Sequence, residues 1–260
     1  MANATLHDWL DTPLGAYVLA QEQHVLDEAV ANIFGFNALQ VFMPELDALR
    51  TNRVPNKITV SACGNTSLRA DPAALPIATQ SIDLAVLPHA LEFSPNPHAI
   101  LREMDRVMMP EGRLIITGFN PRSLWGMRQF FTRRQAGYPW CGDFIALSRL
   151  KDWLALLGFE VNAGRLWAYA PPFTTERWLR RFHFMEAAGD RWWGVGGGVY
   201  MLQAIKRVHG ARLILPCWNK TPAEKGLATA VRSAVRRSGY TERKVVPLIR
   251  GPRPPEETAS

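Results

Sequence analysis

The segment of this sequence best equipped to move a proton is Leu87-Pro88-His89-Ala90-Leu91-Glu92. An imidazole with an ordinary pKa near 6.5 can take a proton from an oxygen or nitrogen nucleophile at neutral pH, which makes His89 a candidate catalytic base. The same residue type also serves as a helix cap or an exposed surface group. Glu92, three residues on, and Asn120, in Gly118-Phe119-Asn120-Pro121, are candidate substrate contacts. Other constellations carry less. Cys63, Cys141, Cys217 and His183 lack metal-ligand spacing, so no metal site is expected. The glycines between Gly194 and Gly198 precede an apolar run and open no helix, which argues against a phosphate loop.

The elements that must position these residues alternate. Apolar spacing predicts two helical stretches in residues 5–34, broken near Pro13-Leu14-Gly15, with the second from about Ala16 to Ile33 and Gly35 as its stop. The run Ala38 to Phe42 reads as a strand, Glu45 to Arg50 as helix-like, and Ile58 to Val60 as a strand. Ile82 to Leu87 is a strand, His98 to Val107 a helix, Arg113 to Thr117 a strand, and Leu147 to Leu157 a helix stopped by Gly158. Two further strands, Phe159 to Leu166 and Val199 to Ile205, have no clear helix between them, which suggests antiparallel pairing. Short strands alternating with helices predict an α/β, doubly wound, mostly parallel sheet, because parallel neighbours need a long crossover. His89 and Asn120 then fall at the carboxyl ends of neighbouring strands, where open α/β sheets gather ligands.

Four segments resemble the central half of class I S-adenosylmethionine-dependent methyltransferases. They are Asp71-Pro-Ala-Ala-Leu75-Pro76, Ser81-Ile-Asp83, Leu101-Arg-Glu103-Met-Asp-Arg106-Val107 and Pro110-Glu-Gly112 leading into Arg113 to Ile116, in the family's order and with its gaps. The chain is also similar to a bacterial methyltransferase-like group carrying Gly-Phe-Asn-Pro and Ser-Leu-Trp-Gly, here Gly118 to Gly126. The resemblance implies a Rossmann-like methyltransferase fold of seven strands with the last antiparallel, S-adenosylmethionine as cofactor, and a small-molecule or lipid-like methyl acceptor. It gives Asp83 a structural role. It implies that Asp71 accepts from the adenine amine, although the same carboxylate can simply cap the following turn.

The first strand departs from the family. A glycine-rich turn would let the methionine part of the cofactor lie against bare backbone. Here Phe42, Pro44 and Leu46 stand in the glycine places and Gln40 in that of the usual acid, while Ile58 to Gly64 lacks the terminal carboxylate that grips ribose. One reading keeps the cofactor in an altered pose touching Gln40, Phe42, Gly64, Asp71 and Leu87. The other loses the cofactor and keeps the fold as a non-catalytic scaffold for a protein partner.

Length and charge complete the expectation. With 260 residues, 47% of them hydrophobic, the chain has ample material for one large domain. Its net charge of +7 is concentrated in residues 207–260, which hold 11 Lys/Arg against 4 Asp/Glu and leave 19 of each in 1–206. The expected organisation is a domain over 1–206, with a helical cap at 1–36 and insertions at 120–145 and 167–198, followed by a basic, Pro-rich extension at 207–260. That extension reads as a solubilising tail, or as an arm for RNA or an anionic membrane in the manner of an RNA-modifying enzyme. Eight of the nine tryptophans lie from Trp125 to Trp218, as a lid over an acceptor pocket or as packing of an extra subdomain. No apolar run reaches membrane-spanning length and no signal-peptide pattern is visible, so a cytoplasmic location is expected.

Overall fold

A computed structural model describes residues 6–61, 66–132, 137–173 and 196–208, with Thr175, Arg177, Arg181 and Met185 between. These residues form a seven-stranded sheet of β1 (Asn37–Val41), β2 (Asn56–Ser61), β3 (Leu68–Arg69), β4 (Ile82–Pro88), β5 (Met108–Phe119), β6 (Phe159–Trp167) and β7 (Val199–Lys206). The strand order is β3-β2-β1-β4-β5-β7-β6. β1 to β5 pair in parallel, and β7 runs antiparallel to both β5 and β6. The expected α/β fold class is thus observed. The two-residue β3 carries too little pattern to be visible in sequence. The extension beyond 208, Gly64 and Trp178, Trp192, Trp193 and Trp218 lie outside the described residues.

Alternation along the central strands builds two cores. Leu84 and Val86 of β4 and Ile115 of β5 share one core with α1 (Leu6–Leu10) and α2 (Pro13–Val30), which contributes Leu14, Val18, Leu26 and Val30. Ala85 and Leu87 of β4, with Leu114 and Ile116 of β5, face α3 (Pro97–Val107) and α5 (Leu147–Leu156) through Leu101, Met104, Leu150 and Leu154. This period of two is what a strand buried on both faces requires. α2 starts earlier than the spacing suggested because Thr12 caps it, its Oγ1 accepting from Gly15 N at 3.1 Å, with Pro13 at the first helical position. Gly35 does not stop a helix. It lies against Asp83, whose Oδ2 accepts from the N–H groups of Phe36 and Asn37 at 2.8 and 3.0 Å and so fixes the entry to β1.

Two local expectations are corrected. Glu45 to Arg50 is not helical: it is a chain of turns closed by Leu46 N to Met43 O, Arg50 N to Asp47 O and Asn52 N to Leu49 O. The carbonyls of Met43, Leu46 and Asp47 also accept from the side-chain amides of Gln40 and Gln23. Conversely, residues 120–145 contain a helix, α4 (Leu124–Thr132), that periodicity did not reveal, because large apolar side chains occupy both its buried and exposed sides.

Candidate functional site

The carboxyl ends of β1, β4 and β5 meet at the centre of the sheet, and each places a polar side chain there. His89 follows β4 with φ of 50°, a left-handed conformation that turns its ring back over the sheet. The ring is 2% exposed, lies 4.3 Å from that of Phe119, and has a carboxylate at each nitrogen. Nδ1 is 2.8 Å from Glu92 Oε2, and Nε2 is 3.3 Å from Oε2 of Glu22, a fully buried residue of α2. Both carboxylates have second partners. The Thr117 hydroxyl donates to Glu22 Oε1 at 2.5 Å, and the Phe119 N–H donates to Glu92 Oε1. Gly118 is required beside them: a Cβ there would stand 2.7 Å from Tyr200 Oη and 2.9 Å from Glu92 Oε1.

The electrostatics follow from this enclosure. Burial alone pulls the imidazole toward its neutral form, but the facing carboxylates of Glu22 and Glu92 outweigh burial and hold the pKa of His89 at about 10. Burial raises the pKa of Glu92, with His89 and the Phe119 N–H pulling the other way. Tyr200 is pushed well above the ordinary phenol range by burial and then by Glu92. An imidazolium thus sits between two acids, joining α2 to β4 and β5. Both of its nitrogens face buried carboxylates. A general base must reach its proton within hydrogen-bonding distance, and with both nitrogens turned to buried carboxylates His89 has the geometry of a strut in this structure.

The other residues singled out in sequence separate into two groups. Asn120 is buried where β5 ends: its Nδ2 donates to Gly197 O at 3.0 Å and its Oδ1 accepts from Arg122 N at 3.0 Å. Leu87 is fully buried core. Asp71 is exposed, with Oδ1 accepting from Ala73 N at 2.9 Å, the geometry of a capped turn. The loop bearing Asp71 is clamped to α3. Glu103 Oε1 accepts from Leu75 N at 2.8 Å, Arg106 donates to Leu75 O at 3.0 Å, and the two side chains pair with each other. That clamp is the physical reason for the Glu-x-x-Arg spacing.

The β1 turn does not fit a cofactor laid on bare backbone. Phe42 and Met43 both take left-handed φ values, 73° and 44°, where glycine would be unstrained. Met43 and Leu46 are buried, and Phe42 stacks on Phe93 with centroids 5.9 Å apart. The Gln40 amide is fully engaged with the same loop, donating to Met43 O and Leu46 O and accepting from Ala48 N. Because β1 leads into turns and no helix, the N–H groups of a helix start are also missing as an anion site.

Sequence reasoning missed Glu22. Its signal was its place in α2, four residues after Val18 and before Leu26, within the buried stripe. Among the described residues, the aromatic insertion is largely core. Trp125, Trp140 and Trp167 are buried, and Trp125 stacks on Phe119 at 5.7 Å and donates to Ala170 O. An open cavity of about 430 Å³ lies beside it, lined by Leu91, Ser94, His98, Phe144, Arg149 and Trp153 among others. Among the described residues no group of three His, Cys, Asp or Glu could hold a metal.

Residues 24–116 match the family described as a methyltransferase domain. The chain is 35% identical over 156 residues to the protein YafS of Escherichia coli K12, covering 59% of this chain and 65% of that one. It is 27% identical over 221 residues to the protein Rv2003c of Mycobacterium tuberculosis, covering 77% and 71%. Its fold superposes on a SAM-dependent methyltransferase from Thermotoga maritima with a TM-score of 0.55 at 13% identity, over 74% of this chain and 93% of the other. At that identity the likeness is one of fold.

Proposed function

We propose that the chain, whose residues 24–116 match a methyltransferase domain, is a class I S-adenosylmethionine-dependent methyltransferase that methylates a small or lipid-like acceptor, with the cofactor displaced from the β1 turn toward the loop that carries Asp71. The observation that carries this reading is the clamp of Glu103 and Arg106 on Leu75, which fixes Asp71 at the surface with a carboxylate able to accept an exocyclic amine. When bound, the cofactor supplies an electrophilic methyl group. The chain's own contribution is placement, with the acceptor entering beside Phe144 and Trp153, where the 430 Å³ cavity opens. The expected cytoplasmic location belongs to the same reading; no described helix is long and apolar enough to cross a membrane.

A second reading is favoured by the filled β1 turn: a methyltransferase fold kept as a scaffold for a protein partner, in which Phe42, Met43 and Leu46 replace the cofactor. Calorimetric titration with S-adenosylhomocysteine separates the two. Weak but saturable heat is expected, and Asp71→Ala is expected to weaken it roughly tenfold or more, the worth of a hydrogen bond to a charged group. Neither heat nor a shift in melting temperature at saturating ligand would leave the scaffold reading standing.

A further inference from the structure

The solvent side of α4 is built as an interior surface. Its buried side is formed by Trp125, Gly126 and Gln129, as expected for a helix packed on a domain. The opposite side should be polar. Instead it presents Leu124, Met127, Phe130 and Phe131, with Phe130 81% and Phe131 77% exposed. An apolar cleft of about 340 Å³ continues this surface between Met127 and Phe131 on one wall and Pro171 to Phe173 on the other. Four large apolar side chains on one short helix, next to an apolar cleft, form a contiguous patch of the kind that marks an interaction site.

Charge identifies what covers it. Residues 120–137 contain Arg122, Arg128, Arg133 and Arg134 and no acidic residue. Arg122 is exposed beside the patch. Arg128 sits at the edge of the cleft, held by the Pro172 carbonyl and lying 4.7 Å over the Trp140 ring. Aromatic and aliphatic side chains beside Arg122 and Arg128, in a stretch of sequence without acids, complement a layer of acyl chains under anionic headgroups. We propose that α4 is an interfacial membrane-docking helix that inserts Met127, Phe130 and Phe131 into the headgroup boundary of an anionic bilayer. The cleft against Phe173 receives acyl-chain segments. This proposal stands apart from the methyl-transfer reading, because it needs no cofactor.

Co-sedimentation of the full chain with phosphatidylcholine vesicles, with and without about 30 mol% phosphatidylglycerol, tests it. Binding is expected only to the anionic vesicles, and it should fall several-fold between about 0.1 and 0.5 M salt. Phe130→Ser/Phe131→Ser should reduce partitioning by at least about 30-fold, while Phe130→Leu/Phe131→Leu should retain most of it. The melting temperature of both variants should match the parent, since the side chains are exposed. Three outcomes would overturn the proposal. One is absence of binding to either vesicle. Another is binding that the serine pair leaves unchanged, which would move the contact to the basic extension. The third is a concentration-dependent dimer that the serine pair abolishes, which would make a second copy the partner of this face.

Discussion

Replacing His89 by alanine is expected to lower the melting temperature by roughly 6–20 °C. The variant leaves Glu22 and Glu92, both buried, facing each other across an empty ring site without the cation that separates them. Removing one partner of a buried ion pair commonly costs about 3–5 kcal/mol, because the remaining charge is uncompensated. For a domain of this size each kcal/mol corresponds to about 2–4 °C. Glu92→Gln should cost less, since the amide oxygen can still accept from the Phe119 N–H while its NH2 donates to Nδ1 of a neutral His89 that keeps its proton on Nε2, facing Glu22.

The same cluster sets the pH dependence. His89 has a folded pKa of about 10, above its ordinary value near 6.5, so the folded chain holds a proton that the unfolded chain releases between those limits. Its stabilisation is complete below about pH 6.5 and is lost as pH rises toward 10. The raised pKa of Glu92 acts in the same direction, and so does that of Tyr200 above the ordinary phenol range. Melting temperature should therefore fall steadily from neutral to alkaline pH, at up to about 1.4 kcal/mol per pH unit for one proton. His89→Ala should flatten that limb. A variant that melts within 2 °C of the parent, roughly the effect of 1 kcal/mol, and keeps the full alkaline decline would show that the imidazole is not the strut described here.

Why His89 looked like an open base, and Glu22 like nothing, has a physical explanation. Spacing places His89 at the carboxyl end of a parallel strand, where ligands gather, and that placement is correct. What spacing does not carry is which helix covers the strand end. α2 crosses the sheet there and brings a carboxylate from 67 positions earlier in the chain. The central strands and α3 were legible because their apolar periods are long and their caps local, as with Asn96 accepting from Ala99 N. α4 was not, because a helix apolar on two sides has no amphipathic contrast. The turns after β1 were misread as helix because Leu46 and Leu49 are spaced like one. Their carbonyl partners are glutamine amides reaching in from β1 and α2, which no local pattern displays.

Those amides give the second large effect. Gln40→Leu keeps an apolar side chain of similar length in a buried site but removes every bond that Gln40 makes to the following loop. The carbonyls of Met43 and Leu46, now accepting at 2.9 and 2.6 Å, and the N–H of Ala48, donating at 3.1 Å, lose their side-chain partner. The Met43 carbonyl keeps the Leu46 N–H at 3.1 Å, so two buried groups, the Leu46 carbonyl and the Ala48 N–H, are left unpaired. At about 1–3 kcal/mol for each, a total of roughly 2–6 kcal/mol is expected, with faster proteolysis between residues 42 and 50. Gln40→Glu is the more informative change, because it restores the acid that the family resemblance places at this position. A glutamate cannot donate, so its carboxylate would face two carbonyl oxygens where the amide nitrogen now lies. It should destabilise at least as much as leucine in the absence of S-adenosylhomocysteine. A Gln40→Glu protein that melts with the parent would mean that the turn re-forms around a carboxylate. The filled turn would then be one of two accessible arrangements, and the case for a displaced cofactor would lose its structural basis.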